Sequence, residues 1–195
     1  MNTLKECMDK LTKLYLLVAL SIFIITFKAQ AKFLVEPQYR VYQGEYKGDG
    51  IKGSLKGEGS SINLGYIGKH FMAGVSAEKG WLNFNKSLVD AGPTNFTYGG
   101  FGTFLGFHFF NRIKIYTGYM NTSIEPSNDS SFRYFGQEAY FGIGYRLWDF
   151  VLLNYDYMSN VYTQLEDDNT GKTSGLDSNF KTTKQSIGLS CIFIF

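Results

Sequence analysis

The sequence predicts an all-β protein, and more specifically an eight-stranded antiparallel up-and-down transmembrane β-barrel. From residue 33 onward apolar and polar residues alternate with a period of two, and no window sustains the 3.6-residue period of a helix. Long and short connections between the candidate strands alternate strictly, as expected for a barrel with turns at one end and larger loops at the other. The strands also match the roughly 9–11 tilted residues that cross a bilayer.

The composition limits the other classes of protein. The chain has 195 residues, of which 44% are hydrophobic, 17% aromatic and 18% charged. This hydrophobic content excludes a disordered chain. A mean hydropathy of -0.13 is too polar for a bundle of membrane helices, because each such helix needs about 20 consecutive apolar residues.

The first 31 residues have the layout of a cleavable secretory signal peptide. Three lysines precede an apolar run over residues 14–27, and the small residues Ala29 and Ala31 follow it, as signal peptidase requires. We therefore expect residues 1–31 to be removed and residues 32–195 to form the barrel domain. The alternative is an uncleaved helical anchor, and Met8 is as good a start as Met1.

Removal of this segment changes the charge and the cysteine content. The segment carries four of the 19 basic and two of the 17 acidic residues, so the mature chain is close to neutral. A nucleic-acid partner is therefore not expected, since it would need a clustered basic surplus. Cys191 remains without a second cysteine, so an internal disulfide is excluded.

The first four strands are predicted at residues 33–46, 61–69, 71–78 and 96–109. In each strand apolar side chains occupy every second position, and glycine or polar residues occupy the positions between them. Except for one threonine, the alternating residues are apolar: Val35, Tyr39 and Val41; Ile62, Leu64 and Tyr66; Phe71, Ala73, Val75 and Ala77; Phe101, Thr103, Leu105 and Phe107.

The last four strands are predicted at residues 113–120, 132–146, 150–158 and 183–195 by the same rule. The corresponding positions are Ile113, Ile115, Thr117 and Tyr119; Ala139, Phe141, Ile143 and Tyr145; Val151, Leu153, Tyr155 and Tyr157; Ile187, Leu189, Cys191, Phe193 and Phe195.

Turn-forming residues separate the strands. Short turns are predicted at residues 69–70, 110–112 and 147–149. The long connections are expected to be polar external loops, with the short turns on the periplasmic side. These long connections cover residues 47–60, 79–95, 121–131 and 159–181.

The polar face of the sheet is predicted to fill the barrel lumen, while the apolar face contacts lipid. Repeated glycines on the polar face support this assignment, because crowding inside a narrow barrel explains them and a solvated surface does not. The alternative is a soluble barrel with its apolar face around a ligand. Charges inside a lumen should pair, so we expect a plugged barrel. The charged residues on this face are Glu36, Arg40, Glu78, Lys114, Glu138, Arg146, Asp156 and Lys184.

Aromatic residues collect near both predicted ends of the strands, as in the interfacial belts of membrane proteins. The residues near the turns are Phe71, Phe109, Phe110, Tyr145, Trp148, Phe150, Phe193 and Phe195. The residues near the long connections are Tyr42, Trp81, Phe96, Tyr119, Tyr134 and Tyr157.

The end of the chain carries a family resemblance. Ser186, Gly188, Cys191, Phe193 and the final Phe195 resemble the β-signal that the outer-membrane assembly machinery recognises, although Cys191 stands where a larger apolar residue is usual. With this motif, residues 32–195 resemble the small eight-stranded outer-membrane barrels typified by the OmpA transmembrane domain, OmpX and OmpW. The resemblance implies a Gram-negative outer membrane, with periplasmic chaperones and the barrel-assembly machinery as partners during biogenesis.

This resemblance implies a monomeric barrel with a structural or surface-interaction role, whose loops are available to an extracellular ligand. The alternative is a narrow channel for small hydrophobic or ionic solutes, as in OmpW. A lipid A-modifying enzyme is a less favoured third reading, because it would need a histidine beside a serine and a carboxylate. His70 and His108 are both predicted near the turns, and so neither catalysis nor a cofactor or metal is expected.

Overall fold

The computed structural model describes residues 31–48, 51–86, 94–110, 112–127, 132–167 and 170–195. The predicted signal peptide therefore lies outside the described residues, apart from Ala31. Within the described part of the chain, no helix is long and apolar enough to cross a membrane.

Antiparallel strands form one sheet in which each strand pairs with its neighbours in sequence. The first strand closes the sheet, because β1 pairs with both β2 and β8. The short β9 continues β8 beyond Ile192 and pairs with Leu34 and Val35 of β1. The fold is thus a closed eight-stranded barrel, as predicted. The strands are β1 Lys32–Gly48, β2 Ile51–Ile67, β3 Phe71–Phe84, β4 Asn95–Phe109, β5 Ile113–Pro126, β6 Phe132–Arg146, β7 Val151–Asp167, β8 Lys172–Cys191 and β9 Phe193–Ile194.

The outward face carries an apolar belt next to the short turns, which we call the turn end. On β1 the belt runs from Phe33 to Val41, and on β5 it runs from Ile113 to Tyr119. Eight steps of about 3.3 Å at a tilt of about 40° span roughly 20 Å, close to the ~25 Å apolar band of membrane barrels. Large side chains in this belt are exposed, such as Phe141 at 53% and Leu105 at 57%.

The predicted long loops are wrong in most of their extent. β1 and β2 continue far past the apolar belt, and Lys47 still pairs with Lys52 in the region predicted as the loop 47–60. In the same way the strands take up much of the predicted loops 79–95, 121–131 and 159–181. The outward face above the belt is polar, so this part of the wall resembles a loop in composition. We call this region the barrel extension and its far edge the hairpin end.

Glycines in the strands pack against aromatic rings inside the barrel. Tyr46 lies opposite Gly53 in the register, and a Cβ on Gly53 would come 2.6 Å from the Tyr46 Cζ atom. Tyr116 lies opposite Gly142, where a Cβ would come 2.3 Å from the Tyr116 Cζ atom. Each glycine thus leaves the space that a ring from the neighbouring strand fills.

The predicted aromatic belt at the far end of the strands needs a correction. Trp81, Tyr119 and Tyr157 are exposed on the outward face. Tyr42 and Phe96 instead point into the lumen, with 2% and 1% exposure, and Tyr134 is buried as well. These inward rings fill the extension, so the lumen is less polar there than the sequence suggested.

Candidate functional site

The barrel interior is filled in three layers. At the turn end lies an apolar layer with Leu34, Ile67, Met72 and Leu152, all buried. A polar layer with the charged side chains follows. At the hairpin end an aromatic cluster closes the lumen, and its rings come from five strands. Its members are Tyr46, Phe84, Phe96, Tyr162 and Phe180, with centroid distances of 4.9 Å for Tyr46–Phe84, 5.1 Å for Phe84–Phe96 and 5.3 Å for Tyr162–Phe180.

Buried ion pairs occupy the polar layer. Arg40 Nη1 lies 2.9 Å from Glu78 Oε2, and Arg40 Nε lies 3.4 Å from Asp156 Oδ2. On the other strands Lys184 Nζ lies 2.8 Å from Glu138 Oε2. The Lys114 ammonium donates to Glu36. Each of these side chains comes from a different strand from its partner, so the pairs tie the wall together across the lumen.

Hydroxyl groups donate further hydrogen bonds to the buried carboxylates. Tyr42 donates to Glu78, and Tyr98 donates to both oxygens of Glu138 at 3.1 Å. Tyr116 donates to Asp156 from the other side of the same layer. Asp156 and Glu36 also accept from two serines, Ser186 at 2.9 Å and Ser190 at 2.7 Å.

These donors matter because the buried charges are unequal in number. Among the described residues, the fully buried set holds the cations Arg40, Lys114 and Lys184 and the carboxylates Glu36, Glu78, Glu138 and Asp156. The carboxylates outnumber the cations, and buried charge is costly unless it is paired and hydrogen-bonded. The tyrosine hydroxyls therefore stabilise the excess negative charge. Lys184 is held further by the Tyr98 ring, whose centroid lies 3.8 Å from Nζ.

The eighth predicted lumen charge is only half-buried. Arg146 lies at the turn end of β6 and pairs with the buried Leu152. It is the last residue of its strand, where a long side chain can reach water at the barrel mouth.

The two histidines occupy different environments. His108 is buried at the turn end of the lumen, while His70 is exposed in the turn before β3. A backbone hydrogen bond of 2.7 Å joins the His108 N–H to the His70 carbonyl. Within the described residues, neither imidazole has a hydrogen bond to a serine hydroxyl, and no three His, Cys, Asp or Glu side chains are grouped to hold a metal ion.

The predicted assembly-signal residues lie along the seam that closes the barrel. Ser186 and Gly188 are buried on the lumen face of β8, Cys191 is half-buried, and Phe193 and Phe195 are exposed. The last residue pairs with β1, because Phe195 N–H donates to the Phe33 carbonyl at 2.9 Å. Their part in assembly stays a prediction.

Sequence reasoning missed the aromatic cluster at the hairpin end. Phe84, Tyr162 and Phe180 lie in segments predicted as loops. The signal was present, since Leu82 and Phe84 continue the period-two pattern of β3 and Tyr162 continues that of β7. Polar residues at the intervening outward positions concealed it.

The closed barrel, its apolar belt and its filled interior define a small transmembrane β-barrel. No family model matches the chain, and no curated protein matches its sequence. Among solved structures, the chain is similar to Neisserial surface protein A, with a TM-score of 0.52 and 16% identity over 83% of this chain and 97% of that one. It is also similar to the attachment invasion locus protein Ail of Yersinia pestis in complex with the heparin analogue sucrose octasulfate, with a TM-score of 0.52 and 13% identity over 84% of this chain and 99% of that one. At such low identity the likeness shows the fold, which is that of small outer-membrane barrels.

Proposed function

We propose that residues 32–195 form a monomeric, non-enzymatic barrel of the Gram-negative outer membrane, with a sealed lumen and a surface-interaction role. The layered interior carries this proposal. Glu36, Lys114, Glu138, Asp156 and Lys184 have no exposed area at all. A conducting pore would need these charges to contact water, and here apolar layers cover them at both ends.

Insertion into the outer membrane can be tested on the full precursor expressed in a Gram-negative host. We expect the processed protein in the outer-membrane fraction, with faster gel migration before boiling than after it, because a closed barrel stays compact in detergent. A signal peptide cut after Ala31 would appear in the N-terminal sequence. Recovery as a freely soluble protein would refute the proposal.

Sealing of the lumen is tested separately by planar-bilayer recording of the purified barrel. We expect no steady conductance. Steady conductance that disappears in Arg40→Ala or Glu138→Ala would instead establish the narrow-channel alternative.

The barrel extension carries the surface that is best suited to a partner. Lys181, Lys47 and Lys52 lie directly opposite one another across β8, β1 and β2 and are all exposed. Directly opposed like charges cost stability, and an anionic partner would offset this cost. The complex of Ail with a heparin analogue supports an anionic saccharide as the partner of this chain.

Heparin-column retention tests this contact. Wild-type protein should elute at higher salt than the triple variant Lys47→Gln, Lys52→Gln and Lys181→Gln. Each lysine that is replaced removes one ionic contact, so fewer counterions are released when the protein binds heparin. A control variant, Lys69→Gln at the turn end, should elute with the wild type. Equal elution of all three proteins would show that Lys47, Lys52 and Lys181 do not form this contact.

A further inference from the structure

A groove of about 610 Å³ crosses the outward face of β4, β5, β6 and β7. Two rows of side chains line it, each set by the strand register. The row nearer the apolar belt holds Phe101, Asn121 and Gln137. The row above it holds Gly99, Ser123 and Phe135, with Gln164 beyond.

The groove exists because the wall there lacks bulk and is bent. A Cβ on Gly99 would meet no atom closer than 3.9 Å, so space lies directly over this residue. A register shift between Phe135 and Gly136 disturbs the β6–β7 pairing, and one between Tyr162 and Gln164 disturbs the β7–β8 pairing at the same height. Such bulges bend a sheet locally and redirect its side chains.

The lining is polar yet uncharged. The amides of Asn121 and Gln137 are directly opposed across β5 and β6 and exposed. Among the described residues, no side-chain hydrogen bond engages either amide. Phe101 and Phe135 stand at opposite corners, and no lining residue is acidic or basic, although the Arg133 guanidinium lies 5.9 Å from the Phe135 ring centroid. Paired amide donors and acceptors between aromatic faces suit the hydroxyls and the apolar ring faces of a neutral sugar.

The height of the groove points to the source of that sugar. Directly toward the turn end the next outward row holds Thr103, Tyr119, Ala139 and Ser159, and the row after it, Leu105, Thr117, Phe141 and Tyr157, lies within the apolar belt. The groove therefore begins where the hydrocarbon contact ends, which is the depth of lipid headgroups. A ligand that lies in this groove can leave its acyl chains on the belt below.

We propose that this groove binds the saccharide headgroup of a neutral glycolipid in the outer leaflet. The inference rests on the membrane insertion proposed above and adds a ligand site to it. A second groove of about 360 Å³, on β7, β8, β1 and β2, offers a natural comparison. It also has directly opposed amides, Gln43 and Gln185, but Lys56 lines it, so its chemistry differs by one charge.

Nuclear magnetic resonance of the barrel in a detergent without sugar headgroups tests the site directly. The probe is dioleoylglycerol that carries one glucose, and the readout is the side-chain amide signals of Asn121 and Gln137. We expect saturable shifts of both signals. Dioleoylphosphatidylglycerol and free maltose should bind at least about tenfold more weakly in the same titration, which corresponds to ~1.4 kcal/mol of differential affinity.

Two variants complete the test. Gly99→Val fills the groove without a backbone clash, so it should abolish the shifts while the barrel still shows heat-modifiable migration. Gln43→Ala with Gln185→Ala removes the matched amide pair on the other side and should leave the shifts unchanged.

Several results would overturn the inference. These are equal shifts with phosphatidylglycerol, equal shifts with free maltose, unchanged binding in Gly99→Val, or no shifts at all in a correctly inserted barrel. Failure of insertion would be seen first in the gel migration, and it would count against the proposed function instead.

Discussion

Replacement of Glu138 by glutamine measures how much the buried pairs contribute to stability. Glu138 has no exposed area and lies 2.8 Å from Lys184 Nζ. Glutamine keeps the shape and can still accept from Tyr98, but it leaves the Lys184 ammonium without its counterion. Breaking a buried pair in this way costs ~3–5 kcal/mol. The Tyr98 ring at 3.8 Å from Nζ retains part of the stabilisation, up to ~2 kcal/mol. We therefore expect the free energy of unfolding to fall by ~1–5 kcal/mol.

Guanidinium unfolding of the refolded barrel in micelles, followed by the fluorescence of Trp81 and Trp148, gives this free energy. The double variant Glu138→Gln with Lys184→Met removes both charges of this pair and leaves the charge balance of the layer unchanged, so it should lose at least ~1.5 kcal/mol less than the sum of the single variants. Glu125→Gln is the control, because its 2.9 Å pair with Arg133 has side chains 32% and 36% exposed. Such a partly exposed pair contributes ~1 kcal/mol or less. Additive single effects, or a loss in Glu138→Gln no larger than in the control, would refute the reasoning.

Three further predictions concern packing, extent and orientation. Gly142→Ala should destabilise the barrel by ~1–3 kcal/mol in the same unfolding assay. The added Cβ would lie 2.3 Å from Tyr116 Cζ and 2.4 Å from Asp156 Oδ1. Gly99→Ala is the control and should leave the stability unchanged, because the nearest atoms to its Cβ are 3.9 Å away. Trypsin applied to intact cells should leave the chain uncut after Lys56 and Lys181, because both lie in paired strands, and mass spectrometry of the fragments would reveal cuts there if these segments were loops. A spin label on Cys191 in liposomes should be more accessible to oxygen than to a water-soluble nickel complex, and the opposite order would place this face of β8 in water.

The sequence was sufficient to assign the faces of the strands. Alternation placed Glu36 and Arg40 on the face opposite Val35 and Val41, and the barrel buries the first pair while Val41 is 54% exposed. A one-residue slip would reverse every such assignment, so a period of two over many residues is a strong constraint. Arg146 lies at the end of its strand and is only half-buried, so alternation alone does not predict how deeply a side chain is buried there.

Composition could not predict where the strands end. The composition of residues 47–60 predicts a polar loop, yet residues 47–48 and 51–60 continue β1 and β2. Outside the membrane a strand needs no apolar outward face. The sequence of a hydrogen-bonded strand there therefore lacks the alternation of apolar and polar residues that predicts a strand. Gly53 falls within the predicted loop 47–60, whereas in the barrel it accommodates the Tyr46 ring that lies opposite it.

The residue pattern alone determined that the strands have a polar face and an apolar face, and that the polar face carries charges of both signs. Only the tertiary structure decided which charge meets which. Lys114 lies 78 positions from Glu36 along the chain and on a different strand, and closure of the barrel brings them together. The physical reason is that alternation is a local property of each strand, while contacts across a lumen depend on strand number, register and tilt together.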